Sequence, residues 1–285
     1  MIDEDEIGVI PHPQKEGDPF EIHFSEFYGT KMGQFRYILN SNEISERAFD
    51  LVTFINKKVP PNQVAWYYRE KLLLELKKDL IEEEAFLENE LTTRFPKYFQ
   101  YWTHKKWLTR QLNGEYDETD FFKNVIKVDE KNFHAWSFFV WYAREYNKGR
   151  WLYNMTTPLI QHDPKNNSAW SARFQALKLG QISVQEDIDF TLGYFQLISD
   201  SESTANYIRG LLGLDMSIEN DVRDAINFVL KLNSNNKVAL SLLMYVEKLK
   251  GNVERYDELA DKMASIDTVR SHFWKLMKSD SKRFD

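Results

Sequence analysis

A tryptophan returns at positions 66, 102, 136 and 170, at intervals of 36, 34 and 34 residues. Its surroundings return with it: Pro61-Asn-Gln-Val-Ala-Trp66-Tyr-Tyr-Arg69, Pro96-Lys-Tyr-Phe-Gln-Tyr-Trp102-Thr-His-Lys105, Lys131-Asn-Phe-His-Ala-Trp136 and Pro164-Lys-Asn-Asn-Ser-Ala-Trp170-Ser-Ala-Arg173. Two fainter units keep the phase, with Ala205 placed 35 residues beyond Trp170 and Leu240 another 35 beyond that. A period of this length marks stacked helix-turn-helix units, each of which needs its neighbours to bury its apolar faces. The expected fold is all-α: a right-handed superhelical crescent of antiparallel helix pairs.

Composition agrees. The 285 residues include only 11 Gly and 8 Pro, with no proline after Pro164, too few turn residues for a sandwich of many short strands. The net charge of −7 argues against a nucleic-acid surface. The absence of cysteine excludes disulfides and thiolate metal ligands and fits a reducing compartment, so a cytoplasmic location is expected. The longest apolar run free of charge, residues 136–143, is far shorter than the roughly twenty residues of a membrane helix. The acidic start, Met1-Ile-Asp-Glu-Asp-Glu6, lacks the apolar segment of a secretory leader.

The pattern also places the elements. Residues 1–20 hold Pro11, Pro13 and Pro19 and are expected as an extended arm. Residues 21–285 are expected as one helical-repeat domain, opening with a helix pair over 25–40 and 43–58. Asn132 and Asn166 or Asn167 are placed to cap the tryptophan-bearing helices. Gly114, Gly149 and Gly180 stand where a left-handed residue ends such a helix. The second helices (79–91, 116–128, 182–198) read as amphipathic, with Leu80, Glu84 and Leu87 on one face and Glu82, Glu83 and Glu90 in water. A final helical stretch is expected over 252–277, followed by a charged tail. The four tryptophans recur at one phase and are expected in the core. Tyr67, Tyr68, Tyr98, Tyr101, Phe138, Phe139 and Tyr142 exceed what a helix-pair core needs and are expected at the surface, as a partner interface.

The unit Pro-Lys-Asn-aromatic-polar-x-Trp-x-x-basic resembles the protein prenyltransferase alpha-subunit repeat. Asp129-Glu-Lys-Asn-Phe-His-Ala-Trp136 and Asp163-Pro-Lys-Asn-Asn-Ser-Ala-Trp170 match it best. Ile10-Pro-His-Pro-Gln14 resembles that family's N-terminal arm, and Ser45-Glu-Arg-Ala48 an element of its first helix pair. The resemblance runs from about Ile7 to Gly251 and is strongest to the alpha subunit shared by the farnesyl- and type I geranylgeranyl-transferring enzymes. There are departures: Phe139 replaces the basic residue found at Arg69, Lys105 and Arg173, Tyr98 replaces Asn, and Ala205 replaces Trp.

The resemblance implies a heterodimer whose beta subunit carries zinc and most of the isoprenoid pocket, with magnesium a possible companion of the diphosphate. The six scattered histidines and the lack of cysteine give no metal set in this chain itself. The pair would transfer a farnesyl or geranylgeranyl group from its diphosphate to a cysteine near the C-terminus of a CaaX-type protein. Within this chain the resemblance implies that Lys131 contacts the diphosphate and that Phe133 and His134 help to hold the substrate peptide. Lys165 and Asn166 occupy the equivalent loop one repeat later.

From position alone, Lys131 reads first as a solvated loop lysine, because Lys97 and Lys165 share its phase. It sits just before a helix N-terminus, whose free amides suit an anion. Asn166 reads as a helix cap. The basic residue three after each tryptophan would meet an acid on the beta subunit, a contact that Phe139 would forgo. Two other readings stay open: a non-catalytic helical scaffold for peptides, and an RNA-processing repeat protein, which the acidic balance opposes.

Overall fold

The computed structural model describes residues 7–12, 24–94 and 96–279. Among them lie fifteen α-helices, two 3₁₀ turns and no strand. The chain divides into two compact units, Met1–Phe138 and Phe139–Asp285.

The first unit holds α1 (Glu26–Ser41), α2 (Glu46–Lys58), α3 (Gln63–Glu75), α4 (Leu80–Thr93), α5 (Phe99–Gln111), α6 (Thr119–Val128) and the start of α7 (Phe133–Glu145). Consecutive helices pack in pairs. In addition α3 packs on α5, and α4 on α6, so tryptophan-bearing and second helices form separate layers. Ser45 caps α2 by accepting from the Ala48 amide. Of the expected arm, residues 7–12 are described, while Pro13, Gln14 and Pro19 lie outside the described residues. Ile7 joins the core of Phe35, Ile38, Val52 and Leu72. The Ile10 amide donates to the Gly33 carbonyl at 3.1 Å, and Arg36 Nε donates to the Ile10 carbonyl at 2.8 Å. Gly33 permits this approach: a Cβ there would lie 2.5 Å from the Val9 side chain.

The second unit holds the rest of α7 and α8 (Gly149–His162), α9 (Asn167–Lys178), α10 (Val184–Leu197), α11 (Glu202–Leu214), α12 (Glu219–Leu232), α13 (Lys237–Leu249), α14 (Val253–Ile266) and α15 (Ser271–Ser279). The two layers recur, α9 against α11 against α13 on one side and α10 against α12 on the other. The expected final helix is two, broken by a 3₁₀ turn at Thr268–Arg270. The tail beyond Ser279 lies outside the described residues.

The recurring residues now have physical roles. Asn62, Asn132, Asn166 and Asn236 each cap a first helix through Oδ1. Tyr98, standing where Asn is expected, gives α5 no side-chain cap. Each tryptophan is buried, and its indole N–H donates to the carbonyl six residues earlier: Trp66 to Pro60 (2.9 Å), Trp102 to Pro96 (2.9 Å), Trp136 to Glu130 (2.8 Å) and Trp170 to Pro164 (2.8 Å). The motif is thus a cap plus a tether, both closing the loop onto the helix it precedes.

Several sequence expectations need correction. Only Tyr67 and Tyr98 of the seven aromatics are exposed; Tyr68, Tyr101, Phe138, Phe139 and Tyr142 are buried. The reason is the two-layer stacking. A first helix is packed by the second helix before it and by neighbouring first helices, and the residues one before and two, three, six and seven after the tryptophan are all enclosed. Glu83 and Glu90 are buried rather than wet, because both are paired: Glu83 with Arg69, and Glu90 with Lys57 and Arg94. Gly114 and Gly180 are left-handed as expected, but Gly149 opens α8 and Asn147 takes the left-handed position. At Gly149 the requirement is space: a Cβ would lie 3.1 Å from Leu179 Cβ and 3.2 Å from the Ala176 carbonyl oxygen.

The basic residue three after each tryptophan also finds its acid inside this chain. Arg69 makes a two-pronged pair with Glu83 at 2.7 and 2.6 Å. Arg173 donates to Asp187 Oδ1 at 2.9 and 2.5 Å. Lys105 meets Glu118 at 2.8 Å, and also contacts Glu84. All three cations are buried, and such a charge is tolerated only with its partner beside it. Phe139 belongs to the same buried seam and packs on Trp151, ring centroids 6.1 Å apart.

Candidate functional site

The segment before α7 is held from several sides. Asp129 Oδ1 accepts from the Lys131 amide at 3.1 Å. Asn132 Oδ1 accepts from the amides of His134 (2.9 Å) and Ala135 (3.1 Å), and its Nδ2 donates to the Pro96 carbonyl at 2.8 Å. The Trp136 tether fixes Glu130. On this frame Lys131, Phe133 and His134 line a recess of about 270 Å³ with Lys97, Asp129 and Asn132. Phe133 is 77% exposed, and its ring meets that of His134 edge-on, centroids 5.7 Å apart.

The structure therefore brings together Lys131, Phe133 and His134, as the sequence suggested. It changes one detail. Asn132 takes two of the first amides of α7, so fewer helix amides are left for an anion in this recess than the sequence reading supposed.

The three lysines of one phase differ in their partners. Lys97 pairs with Asp129 at 3.6 Å and Lys165 with Asp200 at 2.9 Å. Among the described residues, the Lys131 ammonium has no carboxylate within ion-pair distance. Asn166 is almost fully buried and spends its Oδ1 on the amides of Ser168 and Ala169, as a cap. Lys165 and Asn166 lie in the other unit from Lys131.

One buried cluster escaped the sequence reading. His104 Nε2 lies 2.8 Å from Glu83, its Nδ1 lies 3.4 Å from Glu70, and its ring stacks on Trp107. Burial pushes the Glu83 carboxyl up, but the His104 hydrogen bond and the Arg69 guanidinium outweigh it and hold the group below its ordinary range. The available signal was positional: His104 stands two after its tryptophan, where Tyr68 and Phe138 are also buried.

Among the described residues, Glu84, Glu88 and Glu118 are close enough to share a metal ion. Their donor set is all carboxylate, and Lys105 already sits against Glu84 and Glu118. Burial draws the Lys105 ammonium down to about 8, against the pull of Glu118. These residues do not fit the nitrogen and sulfur preference of a zinc centre.

Comparison with known proteins bears on these motifs. Residues 151–179, which carry α8 from Trp151 onward, the Asn166 cap and α9, match the family described as protein prenyltransferase alpha subunit repeat. Over 202 residues the chain is 30% identical to the protein farnesyltransferase/geranylgeranyltransferase type-1 subunit alpha of Dictyostelium discoideum, covering 67% of this chain and 63% of the relative. The matched repeat is similar to those of prenyltransferase alpha subunits. A more distant relative, the geranylgeranyl transferase type-2 subunit alpha of Candida albicans, is 23% identical over 205 residues, covering 60% of this chain and 50% of that one. The matches thus span between half and two thirds of these curated relatives. The alpha-repeat fold itself is shared throughout the chain: a solved structure titled Candida albicans protein geranylgeranyltransferase-I complexed with GGPP superposes with a TM-score of 0.82 at 24% identity, covering 98% of each chain. No helix among the described residues of this alpha-repeat protein is long and apolar enough to cross a membrane.

Proposed function

We propose that this chain is the alpha subunit of a heterodimeric protein prenyltransferase, active only with a beta subunit. The pair transfers a farnesyl or geranylgeranyl group from its diphosphate to a cysteine near the C-terminus of a CaaX-type protein in the cytoplasm. The higher identity to the type-1 subunit than to the type-2 subunit, 30% against 23%, favours the type-1 assignment. Zinc, held by the beta subunit, would supply the substrate thiolate. Exposed Tyr67, Phe99 and Phe133 supply aromatic surface to the partner.

The observation that carries the reading is the contrast among the three phase-matched lysines. Lys97 and Lys165 are neutralised by acids of this chain, whereas Lys131 lines a recess beside Phe133 and His134. As the bond from the isoprenoid C1 to the diphosphate breaks, negative charge collects on the leaving oxygens. A cation already in place stabilises that state without reorganising. His134 and Phe133 border the same recess and would orient the peptide end.

The test is single-turnover transfer by the co-expressed heterodimer. Lys131→Ala should slow the chemical step roughly a hundred- to a thousandfold, about 2.7–4 kcal/mol, with heterodimer yield and peptide affinity preserved. Lys165→Ala removes only an exposed pair and should leave the rate within a few-fold, and Lys97→Ala, whose side chain lines the recess but pairs with Asp129, should slow it less than Lys131→Ala. Equal effects at all three positions would reduce Lys131 to a loop residue. A chain that ignores every beta subunit in sedimentation would favour the peptide scaffold instead.

A further inference from the structure

The first helix pair carries a groove lined by none of the residues of the Lys131 recess. Between α1 and α2 it encloses about 470 Å³, lined by Ser25, Phe27, Tyr28, Lys31, Met32, Phe54, Ile55, Lys58 and Val59. None of these lining residues is acidic, although the chain as a whole carries a net charge of −7. Phe27, 59% exposed, packs edge-on against Phe54 at 5.7 Å to form an aromatic wall. The Lys31 ammonium stands 5.9 Å from the Phe27 ring centre and 5.8 Å from that of Phe54, so the wall holds a cation at its rim. Lys58 contributes a second cation from the last turn of α2, where the helix dipole favours positive charge.

We infer that this groove binds an amphiphilic anion: a hydrocarbon chain lying on Phe27, Met32, Phe54, Ile55 and Val59, with a phosphate head between Lys31 and Lys58. The volume lies within the roughly 300–1,000 Å³ range of small-molecule sites, which favours one such molecule over a protein partner. Charge complementarity selects the head group, and the apolar lining selects the tail. A straight-chain lipid phosphate and a branched isoprenoid phosphate share this chemistry. The site is separate from the Lys131 recess, and its failure would leave the transferase reading untouched.

The experiment uses the full chain with ¹³C-methyl methionine, reading Met32, whose signal is assigned by Met32→Leu. Decyl phosphate, kept below its micelle concentration, should shift Met32 saturably, and farnesyl phosphate is the branched-chain arm. Binding of either supports the site, and their ratio shows which tail it prefers. Decanol should bind about tenfold more weakly and inorganic phosphate not at all, since head and tail are both required. Lys31→Gln with Lys58→Gln should weaken binding about tenfold or more, and Lys58→Gln alone keeps the test open if the double variant misfolds. Three results would overturn the inference: unchanged affinity in the lysine variants, equal affinity for decanol, or a Met32 shift with an acidic amphipathic peptide and none with either phosphate.

Discussion

Three residues after its tryptophan, the first repeat buries Arg69 and the third buries Phe139. Arg69 is held by Glu83 in two hydrogen bonds, donates a third to Thr53 Oγ1, and lies 4.6 Å from the ring centres of Phe49 and Phe86. Phe139 reaches Trp151 instead. Fourteen residues on, where Arg69 and Arg173 find their acids, Phe139 has Tyr153, whose hydroxyl donates to Asp187 at 2.8 Å. The repeat therefore fixes where a side chain is buried, and leaves its chemistry to be settled jointly with one partner on the next helix. Ion pair and aromatic pair are two solutions at one address.

The comparison breaks hardest at Phe139. Phe139→Arg places a guanidinium in that seam with no acid at the matching position, and should cost about 3–5 kcal/mol in urea unfolding of the heterodimer or the chain. A change below about 1 kcal/mol would mean that an outside acid reaches it. Next, Arg69→Met strands Glu83 and should cost about 3 kcal/mol or more; adding Glu83→Leu should recover much of this, because a buried pair replaced by apolar groups is often close to neutral. If the double variant is as unstable as the single, His104 and not Arg69 is the partner that matters to Glu83.

The Lys105 seam gives a pH-dependent version of the same contrast. Burial, and then the charges of Glu118 and Asp120, push Glu88 up to about 7. The fold therefore prefers Glu88 protonated, and stability should fall as pH rises from the ordinary carboxylate range through about 7. Glu88→Gln should flatten that slope and raise the melting temperature at pH near 8. An unchanged slope would show Glu88 to be well solvated. The smallest effect is expected at Tyr98, whose backbone already has the extended cap conformation. Tyr98→Asn should gain roughly 0.5–1 kcal/mol by capping α5 as Asn62 caps α3.

Much of this was legible in the sequence. The tryptophan period announced the helix pairs, Asn132 and Asn166 announced their caps, and the loop holding Lys131, Phe133 and His134 could be singled out by phase. What stayed hidden depends on contacts between helices. An amphipathic pattern assigns one buried face, and so it sent Glu83 and Glu90 to the surface, while Phe138 and Tyr142 were sent there as more aromatics than a helix pair needs; a helix enclosed on several sides has little surface to give. The acid opposite each basic residue was sought on another chain because its own helix lies about fourteen residues away, beyond any local motif. The difference between Lys131 and its two phase-mates lies in which ammonium reaches an acid, Lys97 to Asp129 and Lys165 to Asp200, and not in the sequence pattern, since Asp163 stands one repeat after Lys131 as Asp129 does after Lys97.

The indole tether has a consequence for how such a chain can change. Because each tryptophan grips the main chain six residues upstream, the loop takes its position from backbone atoms that every amino acid possesses. The exposed side chains between them are then free to vary like type set in a fixed frame. Lys131, Phe133 and His134 can be exchanged without re-solving the core. Trp136→Phe would do the reverse, keeping the core filled and the letters intact while loosening the frame that gives them a shared meaning.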